Sequence, residues 1–369
     1  MSEKSSKNSR KRPIRSGVGF VGGLLTAAAA GILYSRFTID HEVPLPEALA
    51  AERRTVELPQ IGRVSYYADT AVAGTPLVLI HSINAAASAI EMKPLFGHYR
   101  HQRPVYALDM PGYGFSDRAD RTYTPEFFAQ TILAFLTQVV GEPADVVALS
   151  LSSEFVARTA VAAPAQFRSL TLISPSGFTA RNSGRVTEQA GRSSANTTLY
   201  RLFSFPLWSQ ALYDLIASRV SLRFYLSKSF VGDIPEELID YGYATSHQPG
   251  AKIVPLHFIS GQLFTQNAKD ALYRPLARPT LILYDRDFYV RFDLLPELLA
   301  QNEYVQATRL TPTLGLPHWE QLADTIDTLD AFWSKPERLV SLRVPLGHPA
   351  EICQQTIDKS IFKGDTYVP

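Results

Sequence analysis

Short apolar runs recur along the chain between residues 54 and 310, and their length and composition predict buried β-strands. The runs with this character are 54–58, 63–68, 76–80, 104–109, 145–149, 169–173, 279–284 and 307–310. The first two flank a turn glycine, Gly62, and predict a β-hairpin. Segments with apolar residues at helical spacing alternate with the later runs, at 127–140, 152–163, 292–300 and 320–333. This alternation predicts an α/β fold with a doubly wound, mostly parallel sheet of about eight strands.

One long segment interrupts the alternation. Residues 175–277 contain no buried-strand run, and within them residues 201–230 are rich in aromatic side chains and helical in pattern. Because the segment stands between the sixth and seventh predicted strands, it predicts a helical cap inserted into the core. The core would then comprise residues 37–174 and 278–334, and the proline-containing residues 335–369 predict an irregular tail.

The first 36 residues differ from the rest of the chain. Six basic side chains and a single acid, Glu3, precede an uncharged run at residues 17–34. As a helix this run would extend about 27 Å, just enough to cross a hydrocarbon core. Its basic flank favours an uncleaved, single-pass N-terminal anchor, which would place the following domain on the extracytoplasmic side of the membrane. A signal peptide cut after the alanines, a weakly membrane-associated helix and a buried helix of the soluble domain are the alternatives.

Composition excludes several classes of protein. The 36 basic residues nearly balance the 35 acidic ones, so the sequence carries no charge excess of the kind that binds nucleic acid. Cys353 is the only cysteine, which rules out a disulfide within the chain, and no Cys/His cluster has the spacing of metal ligands. We therefore expect neither a metal nor a cofactor, and a small molecule as the substrate.

The candidate chemistry begins where the run 145–149 meets the helix that follows it. A serine exposed on a sharp strand-to-helix turn needs small residues two positions before and two after it. Ser150 stands in such a window between Ala148 and Ser152. The sequence alone leaves open whether Ser150 is a nucleophile or an ordinary helix N-cap.

Several segments around this serine resemble the α/β-hydrolase superfamily, in its cap-bearing, esterase-like branch. PLVLIHSINAA (76–86) resembles the third strand and the oxyanion loop, and RPVYALDMPGYGFSDR (103–118) is similar to the family's strand-four segment. VVALSLSSEFVARTAVAAP (146–164) resembles the nucleophile elbow. The resemblance implies that Ser150 attacks an acyl substrate and that the backbone N–H groups of Leu151 and Ile83 form the oxyanion hole.

The same resemblance implies an acid and a base later in the chain. PTLILYDRDFYV (279–290) resembles the family's acid-bearing segment and implies Asp287, with Asp285 as a rival because the usual glycine is missing. The family's late loop reads Gly-His-x-Pro, whereas this chain reads TLGLPHWE (313–320). Aligning the two loops on Pro317 and Glu320 puts Gly315 at the base position and leaves His318 three residues late. His318 is the candidate base if the loop takes a different path, and the alternative is an ordinary loop residue packed beside Trp319.

Two functions of different classes follow from the sequence. The first is a membrane-tethered serine hydrolase that acts on an ester or similar acyl substrate, which we expect to be apolar. It would form a covalent acyl-enzyme and use Ser150, His318 and Asp287 as its triad. The second is an α/β-hydrolase fold whose triad has decayed and which binds ligands or partners at the membrane.

Overall fold

The central feature of the computed structural model is an eight-stranded sheet. The structure describes Thr26, residues 29–180 and residues 194–334. The strands are β1 (Glu52–Leu58), β2 (Gly62–Asp69), β3 (Leu77–Ile80), β4 (Val105–Leu108), β5 (Ala144–Leu149), β6 (Phe167–Ile173), β7 (Thr280–Tyr284) and β8 (Val305–Arg309). Their order across the sheet is β1-β2-β4-β3-β5-β6-β7-β8. β2 pairs antiparallel with both β1 and β4, and the other neighbours are parallel. The predicted mostly parallel α/β sheet is thus confirmed.

Side chains alternate across the sheet and fill a core on each face. On β3, Val78 and Ile80 pack into one cluster, whereas Leu77 and Leu79 pack into the other. All four are fully buried, as expected for a parallel strand covered on both sides. The uninterrupted apolar runs in the sequence follow from this two-sided burial.

The helices lie before, between and after the strands. They are α1 (29–38), α2 (Lys93–Tyr99), α3 (Pro125–Phe135), α4 (Ser152–Ala162), α5 (Ser194–Phe203), α6 (Ser209–Ile216), α7 (Arg219–Leu226), α8 (Glu236–Ser246), α9 (Ile253–Ile259), α10 (Leu295–Gln301), α11 (Pro317–Glu320) and α12 (Leu322–Trp333). The sequence pattern missed α2, which is short and contains Pro94 and Gly97. It also took α3 as continuous to residue 140, whereas the last turn is a π-helix that ends at Gly141 in a left-handed conformation.

Helices α5 to α9 lie in the chain between β6 and β7, where the sequence predicts the cap. The predicted anchor at residues 17–34 lies largely outside the described residues, and only its last part, from residue 29, belongs to α1. Within the part of the chain that the structure describes, no helix combines the length and apolar character needed to span a bilayer. The predicted tail, 335–369, lies outside the described residues.

The topology brings four loops to one edge of the sheet. In the parallel register, Ile80 at the end of β3 pairs with Ala148 on β5, and Ile173 at the end of β6 pairs with both Leu149 and Leu283. The loops that leave β3, β5, β6 and β7 therefore start side by side at their carboxyl ends, where α/β sheets bind ligands.

Candidate active site

Ser150 occupies the sharp turn between β5 and α4. Its backbone is left-handed, with φ of 53°, and its N–H donates to the carbonyl of Ile173 at 2.9 Å. A left-handed conformation is costly for a residue with a Cβ and persists only where the surroundings impose it. Such strain is typical of a nucleophile elbow, and the N-cap of α4 is Leu151 rather than Ser150, so the structure favours the elbow over an ordinary N-cap at Ser150.

Ser152 replaces the elbow's usual second glycine and makes a contact that a glycine lacks. Its hydroxyl donates to the carbonyl of His81 at 2.6 Å, which joins the start of α4 to the loop after β3. Ser152 and His81 are both fully buried. The substitution is therefore accommodated, and it ties the turn at Ser150 to the loop after β3.

The predicted oxyanion donors, Leu151 and Ile83, belong to these two joined segments. Within the described residues, the backbone N–H of neither residue donates a hydrogen bond to the protein. Buried N–H groups without protein partners are rare, and a pair of them beside a candidate nucleophile can stabilise the negative charge of a tetrahedral intermediate.

Glu91 accepts hydrogen bonds from the loop after β3, which contains Ile83. Its carboxylate accepts from the backbone N–H of Ser82 at 2.7 Å, from the Ser82 hydroxyl at 3.0 Å and from the Asn84 amide at 2.9 Å. Burial raises the pKa of this carboxyl group, and the hydrogen bonds from Ser82 and Asn84 act in the opposite direction. The serine that replaces the family's glycine at position 82 thus serves as a double donor to Glu91.

The two aspartates after β7 have different surroundings. Asp285 accepts from the Arg309 guanidinium at 2.7 Å and from the N–H of Thr313 at 2.9 Å, so it anchors the start of the late loop. Asp287 accepts through Oδ1 from the N–H groups of Tyr289 at 2.6 Å and Val290 at 3.1 Å. The Asp287 side chain is therefore held by its own loop.

Gly315 lies against the second carboxylate oxygen of Asp287. A Cβ placed on Gly315 would be 2.9 Å from Asp287 Oδ2 and 4.0 Å from the hydroxyl of Ser174. The backbone at Gly315 has φ of +119°, a conformation that residues with side chains rarely adopt. Position 315, rather than 318, is thus the point at which the late loop approaches the acid.

The structure does not bring His318 to the other two members of the expected triad. Its Nε2–H donates to the carbonyl of Glu91 at 2.8 Å, and its Nδ1 is buried without a hydrogen-bond partner among the described residues. The indole of Trp319 donates to the same carbonyl at 2.8 Å. Neither ring nitrogen bonds Ser150 or Asp287, so these contacts do not support the prediction of His318 as the base: its ring holds the segment that carries Glu91.

Glu320, three residues after Pro317, fixes the path of this loop. Its carboxylate accepts from the N–H of Leu314 at 2.9 Å and from the N–H of Val231 in the cap at 2.5 Å. These two hydrogen bonds hold both ends of the loop in place. The backbone passes Asp287 at Gly315, and it reaches His318 only after it has turned towards α2. The alignment on Pro317 and Glu320 therefore describes the geometry, with glycine where the family has histidine.

Comparison with known proteins identifies the family. Residues 77–330 match the sequence model of the alpha/beta hydrolase family. The chain belongs to the α/β-hydrolase family. Solved structures that are 14% to 19% identical to this chain share its fold.

Three solved structures illustrate that likeness. A serine hydrolase involved in carbazole degradation is 16% identical with a TM-score of 0.61, over 77% of this chain and 99% of that one. A bacterial membrane phospholipase A is 19% identical with a TM-score of 0.59, over 86% and 98%. A meta-cleavage product hydrolase from Pseudomonas fluorescens IP01 is 18% identical with a TM-score of 0.58, over 76% and 97%.

One curated relative matches over a shorter stretch. The acetyltransferase component of an acetoin cleaving system from Pseudomonas putida is 28% identical over 151 residues, which is 39% of this chain. The chain spans 40% of that relative's length.

Among the residues that the structure describes, no group of three or more His, Cys, Asp or Glu side chains is arranged to hold a metal ion.

Sequence reasoning missed Glu91 and the hydrogen bond that its carbonyl accepts from His318. Glu91 lies in a short 3₁₀ turn before α2, and no motif of the α/β-hydrolase family marks it. The available signal was indirect: two polar residues, Ser82 and Asn84, stand in a loop that is otherwise apolar or small. Buried polar side chains need partners, so a nearby acceptor could have been expected but not identified.

We predict that acid destabilises this protein partly through two buried histidines. His81 donates through Nδ1–H to the Ser82 carbonyl and accepts at Nε2 from the N–H of Met110, and His318 donates to Glu91. Burial lowers the pKa of each to about 4. In the unfolded chain these histidines have a pKa near 6.5, so they take up protons before the folded ones do as the pH falls. The free energy of unfolding should therefore be constant above about pH 7 and decrease as the pH drops from about 6.5 towards 4. The loss at pH 4 should be about 3 kcal/mol per histidine.

Urea unfolding at pH 7, 6, 5 and 4 measures this loss. The variant His318→Gln keeps a donor for Glu91 but has no titrating ring, so its free energy of unfolding should fall less steeply over the same interval. An identical pH dependence in the native protein and in His318→Gln would show that the His318 ring does not contribute.

Proposed function

We propose that this protein is a membrane-tethered serine hydrolase that acts on an ester or similar apolar acyl substrate, with Ser150 as its nucleophile. One observation carries the proposal: Ser150 is strained and left-handed, and the backbone N–H groups of Leu151, which follows it, and of Ile83, in the loop that Ser152 joins to this turn, have no partner within the described residues. This is the arrangement that acyl transfer requires, a presented hydroxyl and donors for the developing oxyanion.

In the proposed reaction the Ser150 oxygen bonds to the acyl carbon while the carbonyl oxygen takes the negative charge and accepts from Leu151 and Ile83. The alkoxide of the ester then leaves and the serine's proton passes to solvent, since Gly315 supplies no imidazole at the base position. In the second step the oxygen of a water bonds to the acyl carbon, the bond to the Ser150 oxygen breaks, and the acyl group leaves as the carboxylic acid. The Ser150 oxygen regains its proton from water. Without a triad base, an oxyanion hole and substrate binding still accelerate such reactions by about 10³–10⁴ over water.

The acyl-enzyme itself provides the test. Since deacylation also needs a base, an activated ester such as a p-nitrophenyl acyl ester should acylate Ser150 faster than the adduct hydrolyses. We expect the intact mass of the protein to increase by one acyl group and peptide mapping to place that group on Ser150. A folded protein that gains no acyl group, or gains it at another residue, would contradict the proposed nucleophile.

A second function, binding or scaffolding without catalysis, is favoured by a single feature. Gly315 lies beside Asp287 where the family has its catalytic histidine, and the ring of His318 is engaged with Glu91. A ligand that binds and protects the protein against thermal unfolding, with no acyl adduct on Ser150 from any activated ester, would favour this function over the hydrolase.

Replacing His318 separates a base from a structural residue. We expect His318→Ala to lower the free energy of unfolding by about 2 kcal/mol, because it removes a buried ring and its hydrogen bond to Glu91. The acylation rate of Ser150 should change by less than about tenfold, whereas loss of a true general base costs about 10²–10⁴. A rate loss of that larger size in a folded His318→Ala protein would restore His318 as the base.

Membrane attachment is the remaining part of the proposal, with residues 17–34 as the anchor and the hydrolase domain outside. It is supported by the six basic residues before the uncharged run. Resistance to carbonate extraction, together with digestion of the domain by protease added outside intact cells, would support it. Recovery of full-length protein in the soluble cytoplasmic fraction would contradict it.

A further inference from the structure

Three helices expose apolar side chains on one face each. The exposed residues are spaced by three or four positions, so each pair lies on the same side of its helix. They are Leu33 and Phe37 on α1, Leu199 and Leu202 on α5, and Val220 and Phe224 on α7, and their exposed fractions range from 40% to 82%. Isolated exposed leucines are common on proteins, but paired apolar faces on three helices outside the core are not.

Buried polar contacts hold α1 against the cap. The hydroxyl of Ser35 donates to Asp214 on α6 at 2.5 Å, and the ring of His41 lies 3.0 Å from both oxygens of the same carboxylate. Asp214 is 3% exposed, yet its neighbour Leu215 is 70% exposed. These contacts fix α1 against α6, so the exposed residues of α1 and the exposed Leu215 belong to neighbouring helices.

The exposed end of α7 lies close to the loop that carries Asp287. Lys228 places its ammonium 4.9 Å from the ring centre of Phe224 and 5.7 Å from that of Phe288. Phe288, half exposed, follows Asp287 directly, and the hydroxyl of Tyr289 donates to the carbonyl of Tyr225 at the end of α7. The loop that carries Asp287 and the exposed end of the cap are therefore in contact.

We propose that the exposed faces of α1, α5 and α7, together with Phe288, form an apolar cap surface that lies in the interfacial region of a lipid bilayer and admits an acyl ester from the lipid phase. The uncharged run 17–34 shares residues 29–34 with α1, so a bilayer that holds the run meets the cap at this surface. Lys228 at its edge matches anionic headgroups. The inference rests on the membrane attachment proposed above.

Lipid-borne quenching tests this inference on the full-length protein. The native cysteine is replaced in Cys353→Ser, and an environment-sensitive fluorophore is attached in that background at Val220→Cys. The matched control is Leu299→Cys, an exposed apolar position on α10 outside the cap. In vesicles of phosphatidylcholine and phosphatidylglycerol with nitroxide-labelled lipid, we expect quenching at position 220 to be at least about threefold stronger than at position 299, because an interfacial helix face sits at the level of the acyl chains.

The outcomes distinguish surface docking from attachment. Equal quenching at both positions in protein that floats with the vesicles would overturn the docking surface and leave the anchor intact. Protein that fails to float would overturn the attachment itself. A fluorophore at position 220 that is already shielded without vesicles would show that another part of the chain, or a second copy, covers the surface, and would overturn lipid as its occupant.

A double variant tests the route of the substrate. Val220→Asp together with Phe224→Asp should reduce acylation of Ser150 by a vesicle-borne ester by about tenfold or more, because charged side chains oppose insertion into the interface. Acylation by a water-soluble p-nitrophenyl ester should be unchanged in the same variant, which shows that it is folded and competent. Equal losses on both substrates, or no loss on either, would contradict entry from the lipid phase.

Discussion

Replacing Gly315 with histidine is expected to increase the rate of Ser150 acylation by about 10²-fold or more, because it supplies a general base beside the acid. A Cβ at this position would lie 2.9 Å from Asp287 Oδ2, which is slightly too close. The Asp287 carboxylate must therefore shift by a short distance to accommodate the new side chain. The new imidazole could then accept the Ser150 proton on one side while Asp287 orients it on the other. Acylation and deacylation should both accelerate, and the rate should acquire an inflection near the pKa of the new histidine.

The same substitution carries a conformational cost. Since φ at Gly315 is +119°, any residue with a Cβ is strained there, at about 1–3 kcal/mol of stability. Gly315→Ala is the matched control, because it imposes the same strain without an imidazole. We expect Gly315→Ala to be destabilised similarly and to show no gain in rate.

The double variant Gly315→His with Asp287→Asn connects the gain to the acid. If the new histidine works as a triad base, the amide should remove most of the gain, because it orients the wrong tautomer. A folded Gly315→His protein that is no faster than Gly315→Ala would show that the missing imidazole is not what limits the native site.

The second large effect is expected at the nucleophile. Ser150→Ala should abolish both the acyl adduct and labelling by a fluorophosphonate probe, and should reduce ester hydrolysis by at least about 100-fold. Alanine keeps the Cβ of serine, so the left-handed turn at position 150 is no more strained in the variant than in the native protein. A loss of reactivity then reflects the missing hydroxyl rather than a change of fold.

The neighbouring serine gives the control for this variant. Ser153 is also buried at the start of α4, and its hydroxyl donates to the carbonyl of Ala148 at 3.3 Å. We expect Ser153→Ala to retain adduct formation within about threefold, since its hydroxyl faces the backbone of the elbow and takes no part in the transfer. Unchanged labelling in Ser150→Ala would instead move the reaction to another residue.

The sequence by itself determined the sheet, because its central strands are buried on both faces. A strand such as β3 must be apolar at every position, and that requirement is visible as a continuous run without knowledge of any partner. The alternation with helices then fixes parallel pairing. Short helices such as α2 escaped detection because tertiary contacts, rather than a long periodic pattern, stabilise them.

At the site, the sequence located the residues whose positions follow from strand ends. Ser150, Ile83 and Asp287 each come a few residues after a parallel strand, so topology alone brings their backbones to one edge of the sheet. The roles assigned to them remain predictions for the experiments described above. The small residues around Ser150 were likewise readable, because a tight turn restricts side-chain size locally.

Only the tertiary structure decided what His318 contacts. Its ring is three residues beyond the point where the late loop meets Asp287, and the loop's path depends on Glu320, which bonds Leu314 and the distant Val231. A hydrogen bond between His318 and Glu91 joins positions 227 residues apart in the chain. Such contacts have no periodic or local signature, because they depend on where loops of different origin meet in space, and so the sequence left the position of the base open.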